Sequence, residues 1–320
     1  MKYLITGGAG FIGGHLAEAL IAKGNQVTII DDLSTGSIDN LAAIIDKPTL
    51  KFIEGDVLTM DELETLVSDA DYIFHLAAAV GVELVVHDPI KTIETNIHGT
   101  ERILKAASKF NKRILVASTS EVYGKSTNEQ FSESDDLLIG PSSISRWSYA
   151  CSKLLDEFFV MAYCQKAGLQ GTVVRLFNTV GPRQTGQYGM VVPRFVASAL
   201  KGEDITVYGT GKQTRCFCHV LDTINALQQL ATAPDSVGKL FNVGSHNKVS
   251  ILQLAERIVK QLNSSSKIVF IPYEQAYEKG FEDMLHRAPN TSLIKDFIGW
   301  EAERSLEQII DNVAAYFKNI

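Results

Sequence analysis

The sequence is poor in the features that mark secreted, membrane-spanning or nucleic-acid-binding proteins. Four cysteines in 320 residues are too few to staple a chain of this length. Cys216 and Cys218 are too closely spaced for an ordinary zinc pair and have no second Cys or His pair nearby, so no metal site is expected. These two thiols, with Cys151 and Cys164, are expected to be buried and reduced. Basic residues are outnumbered: 30 Lys and Arg stand against 37 Asp and Glu, a formal net charge of −7. That balance argues against a nucleic-acid partner, which requires a basic face. No apolar run reaches the ~18 residues of a membrane span, and no leader pattern opens the chain. A cytoplasmic protein without membrane contact is expected. Internal repeats and Gly- or Ser-rich linkers are missing too.

What is present is a globular composition, 45% hydrophobic and 21% charged, with length for about two units of roughly 150 residues. Apolar strand signals at 2–6, 26–30, 51–54, 72–75, 113–117 and 172–176 alternate with helical periodicity at 11–20, 90–110 and 147–166. Pro89 suits the first turn of the second helix. Such alternation predicts a parallel sheet covered on both faces. Past residue 178, glycine, proline and loops become frequent, and helices near 190–200, 220–232, 250–262 and 305–317 mix with short strands. The expected division is 1–178 for the sheet and 179–320 for a smaller lobe over its carboxyl edge, with some later strand returning to the main sheet.

Gly7, Gly10 and Gly13 fall between the first strand and the first helix, the context in which a glycine triplet cradles phosphate. The first allows a tight turn, the second a close approach of pyrophosphate to backbone, and the third close packing of helix on strand. The helix N-terminus adds free N–H groups and a positive dipole end. Asp31 ends the second strand, where a carboxylate accepts from an adenosine ribose 2′-hydroxyl and repels a 2′-phosphate. The prediction is a Rossmann-type, doubly wound domain binding NAD rather than NADP. Asp56, after the third strand, either faces adenine or caps the next helix.

Tyr149 and Lys153 lie four apart near a helix start and share a face. A neighbouring ammonium and a nicotinamide cation would favour the phenolate and lower the tyrosine pKa, making it a base for a hydroxyl proton. Ser118, Thr119, Ser120 and Glu121 sit where the fifth strand leaves the sheet. There Thr119 can bind the reacting hydroxyl, and Glu121 either moves a second proton or stabilises a helix start.

Together these segments resemble the extended short-chain dehydrogenase/reductase family, in particular its NAD-dependent nucleotide-sugar epimerases, dehydratases and decarboxylases. The shared pieces are TGGAGFIGGHL at 6–16, DDLSTG at 31–36, GD at 55–56, HLAA at 75–78, ETN at 94–96, STSEVYG at 118–124, SYACSK at 148–153, RLFNTVGPR at 175–183 and TVYGTGKQTRCF at 206–217. The resemblance implies that Gly7, Gly10, Phe11, Ile12, Gly13, Asp31, Asp56, Val57, Leu76, Ala77, Ala78 and Asn96 hold the dinucleotide with Tyr149 and Lys153. It implies Tyr149, Lys153, Thr119, Ser120 and Glu121 as catalytic residues. Asn178, Arg183, Val192, Tyr208, Arg215 and Arg287 would hold the UDP-sugar, with Arg215 and Arg287 on its diphosphate. Relatives dimerise through the helices corresponding to 90–110 and 148–166, and a homodimer is expected.

Members share a first step in which the tyrosine takes the C4 hydroxyl proton, C4 loses hydride to NAD⁺ and a 4-keto sugar forms. Ser120 stands where 4,6-dehydratases carry an Asp. Thr119-Ser120-Glu121 resembles the UDP-glucuronate decarboxylases, whose product is UDP-xylose. Arg146-Trp147-Ser148-Tyr149 is similar to their UDP-apiose/xylose and 4-amino-arabinose branches, and Asp88-Pro89-Ile90-Lys91-Thr92 and Phe177-Asn178-Thr179 to UDP-xylose synthase. Segments 81–87 and 189–195 depart from the latter and bear on the sugar. The alternatives are a 4-epimerase of UDP-glucose, UDP-glucuronate or a UDP-N-acetylhexosamine, and a non-catalytic NAD-sensing module.

Overall fold

The computed structural model describes residues 1–80, 88–186, 190–276, 284 and 286–319. Segment 81–87, and Gly189 in the second departing segment, lie outside the described residues. Strands β1 (Lys2–Thr6), β2 (Gln26–Asp31), β3 (Leu50–Glu54), β4 (Tyr72–His75), β5 (Arg113–Thr119), β6 (Gln170–Leu176) and β11 (Leu240–Val243) form one sheet. Its order is β11-β6-β5-β4-β1-β2-β3, and every neighbouring pair is parallel. Thus a strand from late in the chain does return to the main sheet, as its seventh member.

Side chains alternate across these strands. Leu4, Ile30, Ile73, Ile114 and Val173 enter the apolar core on one face; Ile5, Ile29, Phe74, Leu115 and Val174 enter that on the other. Helices α1 (Phe11–Ala22), α2 (Leu63–Asp69), α3 (Pro89–Lys109), α4 (Trp147–Ala167), α5 (Val191–Lys201) and α6 (Val220–Thr232) follow in chain order, with α7 (Ile251–Gln261), α8 (Ser292–Ile298) and α9 (Leu306–Lys318). Leucines and isoleucines of α1 and α6 cover one face and those of α2 and α3, with Val160 of α4, the other. Double cover explains why a strand such as Tyr72–His75 is buried throughout. Pro89 occupies the first turn of α3, and the Asp88 side chain caps it by accepting from the Lys91 N–H at 3.1 Å.

A second apolar cluster gathers Val196 of α5, Leu254 and Ile258 of α7, Ile310 and Val313 of α9, and Val207. Val207 belongs to β8 (Ile205–Tyr208), which pairs in parallel with β13 (Ile268–Ile271). Nearby, β9 (Thr214–Cys216) lies between β12 (Lys248–Ser250) and β14 (His286–Arg287), and β7 (Thr179–Val180) pairs in parallel with β10 (Cys218–His219). Helices α7 and α9 each open on a Ser/Gln capping box, a local signal worth about 1 kcal/mol per cap. All four thiols are free. Cys216 and Cys218 are buried as expected, but Cys151 is exposed on α4 and Cys164 half-buried. No described helix is long and apolar enough to cross a membrane.

Candidate active site

A cleft of about 1300 Å³ follows the carboxyl edge of the sheet and is lined from both clusters. Strand order reverses at β1: β2 and β3 lie to one side, β4 to β6 and β11 to the other. Loops leaving β1 and β4 therefore diverge and open a crevice. The glycine loop lies there. Gly7 has φ +71°, and a Cβ on it would stand 2.7 Å from the Ala77 nitrogen; a Cβ on Gly13 would stand 2.6 Å from the Gly8 Cα. Gly10 begins α1 without a side-chain cap, so its first-turn N–H groups are open to an acceptor. A cradle that any side chain would fill, at a helix N-terminus, fits a dinucleotide pyrophosphate. Phe11, Ile12, Val57, Leu76, Ala77 and Ala78 line the same stretch.

Asp31 faces the cleft and is nearly buried. Its carboxylate accepts from the Ala9 and Leu33 N–H groups, each at 2.9 Å, which pins the glycine loop to β2. Burial raises its pKa, while those N–H groups pull the other way. Asp56 lines the cleft and accepts from the Leu58 N–H at 2.8 Å; it does not cap α2, whose N-cap position is Glu62. Asn96, expected among the dinucleotide residues, is set back from the cleft. It is buried behind the cleft wall, where it accepts from the Ala79 N–H at 2.8 Å and donates to Ser152 at 3.0 Å. It shapes the chain leaving β4 and does not line the cleft.

Tyr149 and Lys153 both line the cleft, one helical turn apart on α4. Thr119, at the end of β5, hydrogen-bonds the Tyr149 hydroxyl. The expected lowering of the tyrosine pKa is not found. Burial first, then the Glu121 charge, raise it, with Asp156 adding to the rise and Thr119 and Arg287 opposing. The Lys153 ammonium is engaged elsewhere, 2.6 Å from the Asp156 carboxylate in an ion pair that solvent does not reach.

Glu121 is not merely a helix-start carboxylate. It occupies the first turn of the short 3₁₀ segment Ser120–Tyr123, yet its carboxylate lies between two guanidiniums, Arg146 at 2.7 Å and Arg287. Burial would raise its pKa, but Arg146, then Arg287 and Arg215, overcome that and hold it down to about 2. Arg287 also donates to Asn178, whose amide donates at 3.0 Å to the Cys216 carbonyl. Ser120 is 2% exposed, at the cleft floor. Arg215 reaches the cleft while donating to the Thr214 and Met284 carbonyls, each at 2.8 Å. Val192 and Tyr208 line the same end, the latter's ring 4.4 Å from the Arg194 guanidinium.

Arg183 departs from expectation. It borders the cleft, but its guanidinium is engaged by Glu18 and His15 of α1 and by the Asn40 carbonyl. It ties the Gly181-Pro182 turn to α1 rather than offering a free fork to a phosphate. A guanidinium only donates, so His15 Nδ1 accepts and its Nε2 donates to the Pro182 carbonyl at 3.0 Å.

Lys91, Arg146 and Asp156 are among the cleft or near-cleft residues that the sequence reading did not single out as site residues. Lys91, on the first turn of α3, lines the cleft and carried no signal beyond its motif. Arg146 could have been noticed one turn before Tyr149. Asp156 could have been noticed three residues after Lys153, an acid among apolar neighbours.

The chain matches the model of the GDP-mannose 4,6-dehydratase family over residues 4–313. It belongs to the extended short-chain dehydrogenases/reductases. Among relatives in that family, UDP-N-acetyl-alpha-D-glucosaminuronate decarboxylase of Bacillus cytotoxicus is 43% identical over 321 residues, covering 100% of this chain and 98% of the relative. UDP-glucuronic acid decarboxylase 1 of Xenopus tropicalis is 36% identical, covering 99% of this chain and 72% of the relative. In fold, the chain superposes on the UDP-glucuronic acid 4-epimerase of Bacillus cereus, solved with UDP-glucuronic acid and NAD. That match has a TM-score of 0.86 and 28% identity, and covers 100% of this chain and 99% of the other.

Proposed function

We propose that this chain is an NAD-dependent decarboxylase of a UDP-hexuronate, working through a 4-keto intermediate. UDP-glucuronate, giving UDP-xylose, is the primary substrate of this reading. The observation that carries it is the Glu121 carboxylate at the end of β5, fixed between Arg146 and Arg287 beside Thr119, which accepts from the Glu121 N–H at 3.2 Å. A 4-epimerase has no use for a rigidly held acid at that point; a decarboxylase must manage a proton at C5.

Tyr149 takes the proton of the C4 hydroxyl, which Thr119 holds. The glycine loop and Asp31 would hold NAD⁺, which when bound would supply a reversible hydride acceptor at C4, so the cycle is redox-neutral overall. Once C4 is a ketone, the C5 carboxylate is a β-keto acid. The C5–C6 bond then breaks, CO₂ leaves, and the electron pair rests on the C4 oxygen, where Tyr149 returns its proton. Glu121, kept ionised, orients the water that protonates C5. Asn178, Val192, Tyr208, Arg215 and Arg287 hold the UDP-sugar. In this reading, 1–178 serves mainly the dinucleotide and 179–320 mainly the sugar nucleotide.

Two copies would pair through α3 and α4. Ile90 is 69% and Phe158 65% exposed, with Ile93 and Leu155 at 38% each, an outward apolar stripe on neighbouring helices.

Because the Bacillus cytotoxicus relative is named for the N-acetylated uronate, UDP-N-acetylglucosaminuronate is the second substrate to try. Proton NMR with each uronate and catalytic NAD tests the proposal. UDP-pentose signals that disappear in Glu121→Ala are the expected result. A C4-inverted uronate formed without CO₂ loss would replace it by 4-epimerisation.

A further inference from the structure

Asp156 has no place in the reaction just described, yet it is fully buried, on the third turn of the helix that carries Tyr149. One carboxylate oxygen meets the Lys153 ammonium at 2.6 Å; the other has no hydrogen-bond partner among the described residues. Thr100 of α3 neighbours the carboxyl. The Thr100 hydroxyl contacts His75 Nε2 at 3.1 Å, and His75 Nδ1 contacts the Thr6 hydroxyl at 2.7 Å. A polar file thus runs from the strand before the glycine loop to Asp156. A buried carboxylate with an unsatisfied oxygen is a poor stabiliser, since that oxygen has given up its hydration without a replacement. A well-packed apolar pair would serve the core as well or better.

The charged groups that act on Tyr149 come from several elements: Glu121 after β5, Asp156 of α4 and Arg287 of β14, with Arg146 reaching Glu121 from the start of α4; Lys153 stands one turn further along α4 and lines the same cleft. Around Asp156 stand Lys153 and, next along α4, Glu157. Glu157 is separately neutralised by Arg175 of β6, which donates to both its oxygens at 2.7 and 2.9 Å. Lys153 is therefore the one cation that Asp156 balances among the described residues.

We propose that Asp156 is a positioning residue that fixes and charge-balances the Lys153 ammonium, and so sets the pH at which Tyr149 ionises. This rests on the reading of Tyr149 as the base. Without the Asp156 charge, Lys153 would act on Tyr149 unopposed, and the phenolate would form more easily.

The test is the ultraviolet phenolate titration of the NAD-loaded protein, taken as the difference from the matching Tyr149→Phe protein. Asp156→Asn is expected to lower the Tyr149 midpoint by about one pH unit or more and to move the acid limb of kcat with it. Asp156→Glu, which keeps the charge, is expected to hold the midpoint near that of the parent. If Asp156→Asn does not fold, Asp156→Ser removes the same charge and is read the same way. A midpoint unchanged in a folded charge-removed variant overturns the proposal. Turnover retained in Tyr149→Phe would instead overturn the reading of Tyr149 as base, whatever the titration of Asp156→Asn shows.

Discussion

Arg146 Nη2 lies 2.7 Å from Glu121 Oε2, with neither side chain more than 14% exposed. The guanidinium belongs to the residue just before α4, so the helix that presents Tyr149 also presents the clamp on Glu121. Arg146→Met leaves Glu121 to Arg287 alone and lets its carboxylate swing. The expected outcome is a drop in kcat of about 10²-fold, the lower end for a misplaced proton-handling group, with a smaller change in KM for the UDP-hexuronate. Steady-state kinetics check it. Glu121→Ala removes the carboxylate that Arg146 and Arg287 share and is expected to lose on the order of 3 kcal/mol of stability as well, read as a fall in Tm.

Asp31 is expected to make the cofactor site selective for NAD over NADP in two ways. Its charge opposes a 2′-phosphate, and its bonds to Ala9 and Leu33 keep it from swinging away. NAD is expected to bind at least about tenfold more tightly than NADP. Asp31→Ser should weaken NAD and narrow that gap. Comparable calorimetric affinities in the parent protein would contradict this.

Acid should weaken the fold through two histidines. Burial lowers the pKa of His75 to about 3 and of His15 to about 4, against about 6.5 in an unfolded chain. Below pH 6.5 the unfolded chain takes up protons that the folded one refuses. Their contribution is therefore complete above pH 6.5 and declines as pH falls toward 4 and then 3. At pH 5 the loss is about 2 kcal/mol for each. Tm measured from pH 7 to 5 should fall, and His75→Gln should flatten the slope even if it lowers Tm throughout.

Phe158 is the test of the outward stripe on α4. The parent protein is expected to sediment as a dimer at micromolar concentration. Phe158→Glu should sediment at the single-chain mass of 35.1 kDa. A parent protein already at that mass would refute the dimer.

The sheet was legible because its strands are local signals: four to seven residues of apolar chain, each bounded by a turn. The glycine loop and Asp31 were legible because residues on one strand–turn–helix unit predict their own geometry. Glu121 was legible as a residue but not as an environment. Its partner Arg287 lies 166 positions away on β14, and only the folded chain brings them together. The same limit misled the reading of Arg183, whose motif suggests a ligand while Glu18 and His15, more than 160 positions upstream, have already claimed it. Lys153 failed differently. Asp156 was only three residues away, but a charge pair on a helix looks the same in sequence whether it is solvated or sealed in a core.

Within three turns, α4 turns Tyr149, Lys153, Asp156 and Glu157 inward and leaves Cys151, Leu155 and Phe158 on its outer side. Each residue of an α-helix advances about 100° around the axis. A single inserted or deleted residue between Tyr149 and Glu157 would rotate everything beyond it by that angle, swinging Phe158 toward the buried ion pairs and one or more charges toward solvent. This stretch can therefore change its letters, at Cys151 for instance, far more freely than it can change its length.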